Sequence, residues 1–457
     1  MTALAAAVAA CTPRPTDGRP NILLISIDSL RADHLGCYGA PRPTSPNLDR
    51  LAAEGARFQR ALANSPWTLP SHITMMTGQE AGVHRVDATD QRALSGAAPT
   101  IAEILADRGY RTIGIGCAPY LKAKFGYAQG FDNYDDDLAS PSWQKSHRAK
   151  TAAQAVDKAL QATGARGGSP WFVFLHIWDV HYDFLPPAPF DKRFVDPAYH
   201  GHLRMADWEK NRSFAVGMDP ADYDYALAQY DGGVAWADSE LGRLFATLKK
   251  RGQWDRTAVI VTADHGEEFL DHGQKGHGHS LFDELLRVPL LVKAPGVRAG
   301  LTIDCPAGLI DLFPTLAEWA GAPAANYDGP GISLLPLLRA PGECEAERAF
   351  FAETNLSNLD KLGNYQRGRE TMLEIGGWKY HRRVDPPARE LLFHIAADPR
   401  EQTNLAESDP ARRDRLRALA DEHEARNQRL QLERRLSKEQ PFDMDLLEPL
   451  KQLGYIN

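Results

Sequence analysis

The chain has 457 residues, with 52 Lys and Arg against 60 Asp and Glu, for a formal net charge of -8. Apolar residues make up 43% and charged residues 25%, the balance of a globular protein able to bury a large core. The acidic surplus argues against a nucleic-acid partner, whose phosphates demand clustered Lys and Arg. No run of about 18 apolar residues exists to span a membrane.

The first twenty residues read apart from the rest. Residues 4–10 are small and apolar, and residues 12–20 are turn-like. Val8-Ala-Ala-Cys11 has the form of a lipoprotein box, in which the cysteine takes a lipid and the leader is removed. No basic residue precedes the apolar run, so a plain alanine-rich tail is the other reading. The remaining cysteines, Cys37, Cys117, Cys305 and Cys344, form no CxxC pair. Five sparse cysteines are neither a zinc motif nor a disulfide framework.

Asn21-Ile-Leu-Leu-Ile-Ser-Ile27 is a near-continuous apolar run, the pattern of a strand buried on both faces. It ends at Asp28. Residues 171–178 repeat the pattern and end near Asp179 and His181; residues 257–262 end at Asp264 and His265; residues 288–293 are a fourth such run. Between them, 48–58, 101–108 and 241–250 carry helical periodicity. This alternation predicts an α/β fold, a large and mostly parallel sheet with helices on both faces. After residue 340 a Pro-Gly-Glu break intervenes. Beyond it, 349–352, 378–381 and 391–394 read as short strands and 409–436 as a charged helix. The expected organisation is a leader or tail over 1–20, a catalytic domain over 21–340 and a smaller α+β subdomain over 345–457.

Polar and titratable residues fall just past the carboxyl ends of the predicted strands, where open α/β sheets bind ligands. Asp28 follows the first strand. Thr68 lies in Ser65-Pro-Trp-Thr-Leu-Pro-Ser-His72, ahead of a predicted helix. Asp264-His265-Gly266-Glu267 follows the third strand, with His277 and His279 soon after. Carboxylates and imidazoles at strand ends form a divalent-metal ligand set. A metal beside a hydroxyl lowers its pKa and makes it a nucleophile. Each residue alone also has an ordinary use as cap, turn or loop residue; the constellation carries the reading.

In their order these residues resemble the sulfatase-like family of the alkaline phosphatase superfamily. The stretch from Asn21 to Gly39 is similar to the family's opening strand and loop, Pro46 to Gly55 to its next helix, and Thr68 to Gly78 to its nucleophile motif. Thr262 to Glu267 is similar to its late metal motif, and Asp311 to Thr315 and Ser333 to Leu337 to the end of its catalytic domain. Glu390 to Phe393 and Asp398 to Leu405 resemble its C-terminal subdomain. The resemblance implies an alkaline-phosphatase-like fold. It implies that Asp28, Thr68, Asp264 and His265 hold a divalent metal, with Thr68 also the nucleophile. His181 and His277 would assist catalysis, and Arg31, His72 and His279 would contact substrate. His277 and His279 also fall where the family places a second-metal ligand, so one or two ions are implied.

Departures from the family pattern are informative. Members acting on sulfate esters carry Cys or Ser at the nucleophile, converted to formylglycine, with Arg four residues later. Here the positions hold Thr68 and His72, and Ser29 replaces a second acidic residue. Oxidation of a threonine yields a ketone, so formylglycine is excluded at this site. His265 favours zinc or manganese over calcium, which takes oxygen ligands. Threonine resembles the family's phospho-branch. The expected activity is thus hydrolysis of phosphate mono- or diesters, of a sugar or a lipid headgroup among others. The alternatives are a sulfatase working without formylglycine and a non-catalytic lipoprotein binding module. A headgroup phosphotransferase is disfavoured, since such enzymes usually carry membrane spans. The expected location is the periplasm or cell envelope, with or without a lipid anchor at Cys11. The pattern implies no oligomeric state.

Overall fold

A computed structural model describes residues 18–439 except 87–91, 140–150, 165–167, 206–213, 323–326, 341, 343, 345–347, 356–357, 360–364, 367 and 386–387. Cys11 and all but the last three residues of the expected leader or tail over 1–20 thus lie outside the described residues.

Eight strands form the main sheet: β1 Asn21–Ile27, β2 Ala56–Phe58, β3 Arg111–Ile115, β4 Asn133–Asp135, β5 Trp171–Ile177, β6 Thr257–Thr262, β7 Leu290–Lys293 and β8 Leu301–Ile303. Their spatial order is β8-β2-β7-β6-β1-β5-β3-β4. Every residue of β1, β5 and β6 is buried, as the unbroken apolar runs require of central parallel strands. β1 pairs parallel with both β5 and β6. The fourth predicted run departs from a parallel arrangement: β7 is antiparallel to both β6 and β2. The link from β6 to β7 carries the residues around Asp264 and only a four-residue helical turn, Asp283–Leu286, too little for a crossover back to the other edge.

Helices cover the sheet: α1 Pro46–Glu54, α2 Thr68–Thr77, α3 Ile101–Asp107, α4 Ala152–Gly164, α5 Pro220–Lys250 and α6 Leu312–Trp319. α4 packs on β5, and α1 on β7 and α5. The predicted helix 48–58 ends early, at Glu54, and its last residues form β2. Gly55 makes the break, because a Cβ there would meet the Val292 carbonyl oxygen of β7 at 2.3 Å. The predicted 241–250 is only the tail of α5, which has 31 residues. Its start is marked by Asp219, whose side chain accepts from Ala221 N, and by Pro220 at the first position. Gly232 and Gly233 obscured the apolar periodicity. Gly232 is required there, since a Cβ would lie 2.6 Å from the Phe190 carbonyl.

Beyond the main sheet, β9 Phe350–Thr354, β10 Glu370–Ile375, β11 Trp378–Arg383 and β12 Arg389–His394 form an antiparallel sheet in that order. The charged helix is α7 Pro410–Arg434. Leu373, Tyr380 and Leu392 of the sheet form a small core with Leu416 and Ala420 of α7. The last described strand, Ser437–Glu439, returns to pair with Arg92–Leu94. Cys305 and Cys344 form a disulfide with Cα atoms 5.0 Å apart.

A buried ion network joins the two sheets. Arg60 NH1 is 2.6 Å from Asp283 Oδ2, and Arg60 Nε is 2.6 Å from Glu374 Oε1. Lys379, fully buried, lies 2.8 Å from Asp283 and 3.0 Å from Glu401. Removing one partner from such a network leaves buried charge uncompensated. Lys379→Ala is therefore expected to destabilise the protein by roughly 3 kcal/mol, measured by urea unfolding. A loss below about 0.5 kcal/mol would place the network among weak surface pairs.

Candidate active site

The site follows from strand register. Ser26 on β1 stands opposite His176 on β5 and Thr262 on β6. Two residues further, Asp28 and Asp264 emerge side by side at the carboxyl edge. Ser29 bends the chain away at φ 57, held by its Oγ to Asp28 Oδ1 at 2.9 Å and by its N–H to Asp264 Oδ1 at 3.2 Å. Thr68 is the first residue of α2, so its hydroxyl sits where unpaired N–H groups and the helix dipole attract an anion. Pro70 lies in the first turn, where a missing N–H costs nothing.

These elements bring Asp28, Thr68, Asp264 and His265 together. Thr68 Oγ1 is 3.5 Å from Asp28 Oδ2 and 3.4 Å from His265 Nε2. His265 Nε2 is 3.4 Å from Asp264 Oδ2, and its Nδ1 donates to the Gly266 carbonyl at 2.8 Å. Burial pushes the Asp28 carboxyl up to about 6, against the pull of His265. Burial, reinforced by Asp28, takes Asp264 up to about 7. Burial likewise lowers His265 to about 4. The arrangement holds two carboxylates in low dielectric with no Lys or Arg on either among the described residues.

This donor set fits a divalent cation. Asp28, Asp264 and His265 each offer a ligand atom within 4.8 Å of the others. Asp264 Oδ2 is buried and has no hydrogen-bond partner. A buried carboxylate oxygen left unpaired is costly unless something positive stands beside it. The His72, His176 and Asp264 atoms form a second such group.

Two predicted histidines adjoin the centre. The His277 ring lies 4.4 Å from His265 and 5.1 Å from His181. His181 stacks on Trp178 at 3.8 Å, and its Nδ1 donates to the Tyr182 carbonyl at 2.8 Å. The three predicted substrate contacts each hold protein partners. His72 is fully buried, with Nδ1 donating to the Thr68 carbonyl and Nε2 bonded to Ser26 Oγ, both at 2.9 Å. It braces α2 against β1. Arg31 turns aside to a double ion pair with Asp33 at 2.9 Å and Asp271 at 2.8 Å. His279 is buried on the Glu268 carboxylate at 2.7 Å. Each had a partner too far along the chain, or too deep, for motif spacing to reveal.

The sequence reading also passed over Glu267 and His176. Glu267 is fully buried and accepts from His277 Nδ1 at 3.0 Å; burial pushes it up to about 8. It stands in the Asp-His-Gly-Glu motif, which was the available signal. Beside them, Tyr182 packs against His181 and His277, and Phe184 against Tyr230 and Phe269.

A hydroxyl on a helix amino end, beside carboxylates and an imidazole at the carboxyl edge of a mostly parallel sheet, has the makings of a hydrolase acting on ester bonds. The Sulfatase family model matches residues 20–322, and the chain belongs to that family, within the alkaline phosphatase superfamily. The multifunctional alkaline phosphatase superfamily protein PehA of Trinickia caryophylli is 28% identical over 483 residues, covering 86% of this chain and 92% of that protein.

 Human arylsulfatase A is 28% identical over 408 residues, covering 77% of this chain and 73% of that protein. Among solved structures, the phosphonate monoester hydrolase of Agrobacterium radiobacter aligns with a TM-score of 0.72 at 24% identity, covering 90% of this chain and 96% of that one. A protein solved with its substrate D-glucosamine-2-N,6-O-disulfate aligns at 0.73 and 20% identity, covering 90% and 98%. These two structures share the fold.

Proposed function

We propose that this hydrolase uses Thr68 as its nucleophile, on phosphate mono- or diesters in preference to sulfates. The observation that carries the reading is the Thr68 hydroxyl at the amino end of α2, 3.5 Å from Asp28 and 3.4 Å from His265. A divalent cation held by Asp28, Asp264 and His265 would lower the pKa of that hydroxyl and offset charge on the ester oxygens. The imidazole donor favours zinc or manganese over calcium.

Thr68 Oγ1 forms the bond to phosphorus while the ester oxygen leaves, and the first-turn N–H groups of α2 face the charge that accumulates. His181 or His277 would carry the proton displaced from Thr68 Oγ1 to the leaving oxygen. Water then attacks phosphorus, breaks the bond to Thr68 Oγ1 and frees the hydroxyl. Threonine supports the phospho-branch because a sulfo-threonine has no collapse to an aldehyde by which to expel sulfate. The arylsulfatase relative and the disulfated glucosamine ligand of the neighbouring structure favour a second reading, a sulfatase without formylglycine.

The substrate is proposed to be a small anionic ester, of a sugar or a lipid headgroup. The catalytic unit is taken as residues 21–340 and the C-terminal unit as 345–457, a division supported by the separate sheets. The Cys305–Cys344 disulfide supports an oxidising compartment such as the periplasm or cell envelope, and Cys11 is the proposed anchor point. No described helix is long and apolar enough to cross a membrane.

The test is a rate comparison on an aryl phosphate monoester, an aryl phosphodiester and an aryl sulfate, with zinc, manganese or calcium supplied. Phosphoester turnover exceeding sulfate turnover is expected with zinc or manganese. A sulfate preference would establish the second reading instead. Absence of turnover together with absence of bound metal would leave a binding module.

A further inference from the structure

His176 has no place in the scheme above. It is fully buried on β5, in register with Ser26 on the neighbouring strand. Neither Nδ1 nor Nε2 has a hydrogen-bond partner. Nε2 lies 3.2 Å from Asp28 Oδ2, close enough for attraction but misaligned for a hydrogen bond. A buried polar group left unsatisfied forfeits about 1–3 kcal/mol, and such groups in native structures have an explanation.

His72 provides the contrast. Its ring is 5.2 Å from that of His176, yet both its nitrogens are bonded, to Thr68 and Ser26. His72 is a brace with no lone pair to spare. His176 has ring nitrogens to offer, and Asp264 Oδ2 beside it is likewise unpartnered. His176 and Asp264 place ligand atoms within 4.8 Å of each other. Asp28 and Asp264 meet no Lys or Arg among the described residues. Unpartnered imidazole nitrogens beside buried carboxylates are the donor chemistry a divalent cation takes.

We propose that His176 is a nitrogen ligand of the buried cation site, additional to Asp28, Thr68, Asp264 and His265. The proposal rests on the metal reading of that site and is independent of whether Thr68 is the nucleophile. A second imidazole shifts the donor set further from the all-oxygen surroundings that calcium prefers.

The experiment uses the full chain, stripped with a chelator and reloaded with zinc or cobalt(II). Wild type, His176→Ala, His176→Gln and Thr68→Ala are compared for metal per chain, zinc affinity by chelator competition, and the cobalt visible spectrum. The expected result is an affinity loss of about 100-fold or more in both His176 variants, with a changed cobalt spectrum. Apo melting temperatures establish that the variants fold; where His176→Ala does not, His176→Gln carries the same readouts. Wild-type affinity and an unchanged spectrum in a folded His176 variant would overturn the proposal. A wild type that binds no divalent cation would sink the metal reading itself, and this proposal with it. Loss of turnover in Thr68→Ala with metal retained bears on the nucleophile alone.

Discussion

Thr68→Ala is expected to lower kcat by about 10³-fold or more while leaving metal content unchanged. The hydroxyl is the group that forms the covalent bond, and its loss leaves only polarisation of the ester and approximation of water. The substitution removes little else. Thr68 is buried at the head of α2, and the helix keeps its Trp67 cap position and its first-turn Pro70. Asp28, Asp264 and His265 still offer three ligand atoms. Thr68→Ser separates chemistry from packing, because it restores the hydroxyl without the methyl group. Partial recovery in the serine variant is expected. Turnover near wild type in Thr68→Ala, measured by stopped assay on the preferred aryl ester, would remove Thr68 from the chemistry.

Asp264→Asn is expected to have an effect of similar size by a different route. Asp264 is common to both groups of ligand atoms, and its Oδ1 also orders the loops by accepting from Ser29 N and His265 N. Asparagine keeps the shape and one acceptor but removes the charge. Zinc affinity should fall by about 100-fold or more, and kcat with it. The apo protein should lose no stability and can gain some, because a buried carboxylate without a cationic partner is itself costly. Opposite signs for apo stability and metal affinity, read from melting curves with and without zinc, are the signature. Equal loss in both would mean that Asp264 serves the fold alone.

Much of this arrangement was legible in the sequence. Asp28 and Asp264 could be placed because each ends an apolar run, and a run buried on both faces must stop at the sheet's edge. Thr68 could be placed because prolines and a helical pattern surround it. β7 was seen as a strand but not in its direction, because apolar burial looks the same both ways along a chain. Gly55 ended α1 through a contact with β7 that no local pattern records. The fates of Arg31, His72 and His279 were likewise decided by Asp271, Ser26 and Glu268. Residue type suggested substrate contacts, whereas packing gave each side chain a protein partner. His176 escaped notice because it lies inside the apolar run, two residues before its end, where a histidine reads as an interruption.

The central place of β1 has a consequence for how the chain is made. Both its neighbours follow it in the chain, β5 by more than a hundred residues and β6 by more than two hundred. Ile22 cannot pair with Phe172 or Ala258 until those residues exist. Until β5 emerges, Asn21–Ile27 is therefore an apolar β-forming segment with both edges open, and one edge stays open until β6 follows; such segments are prone to aggregate. Contacts of such long sequence separation also slow folding. A nascent chain of this protein should depend on chaperone shielding until β6 emerges, and fragments ending before Thr257 should be poorly soluble for the same reason.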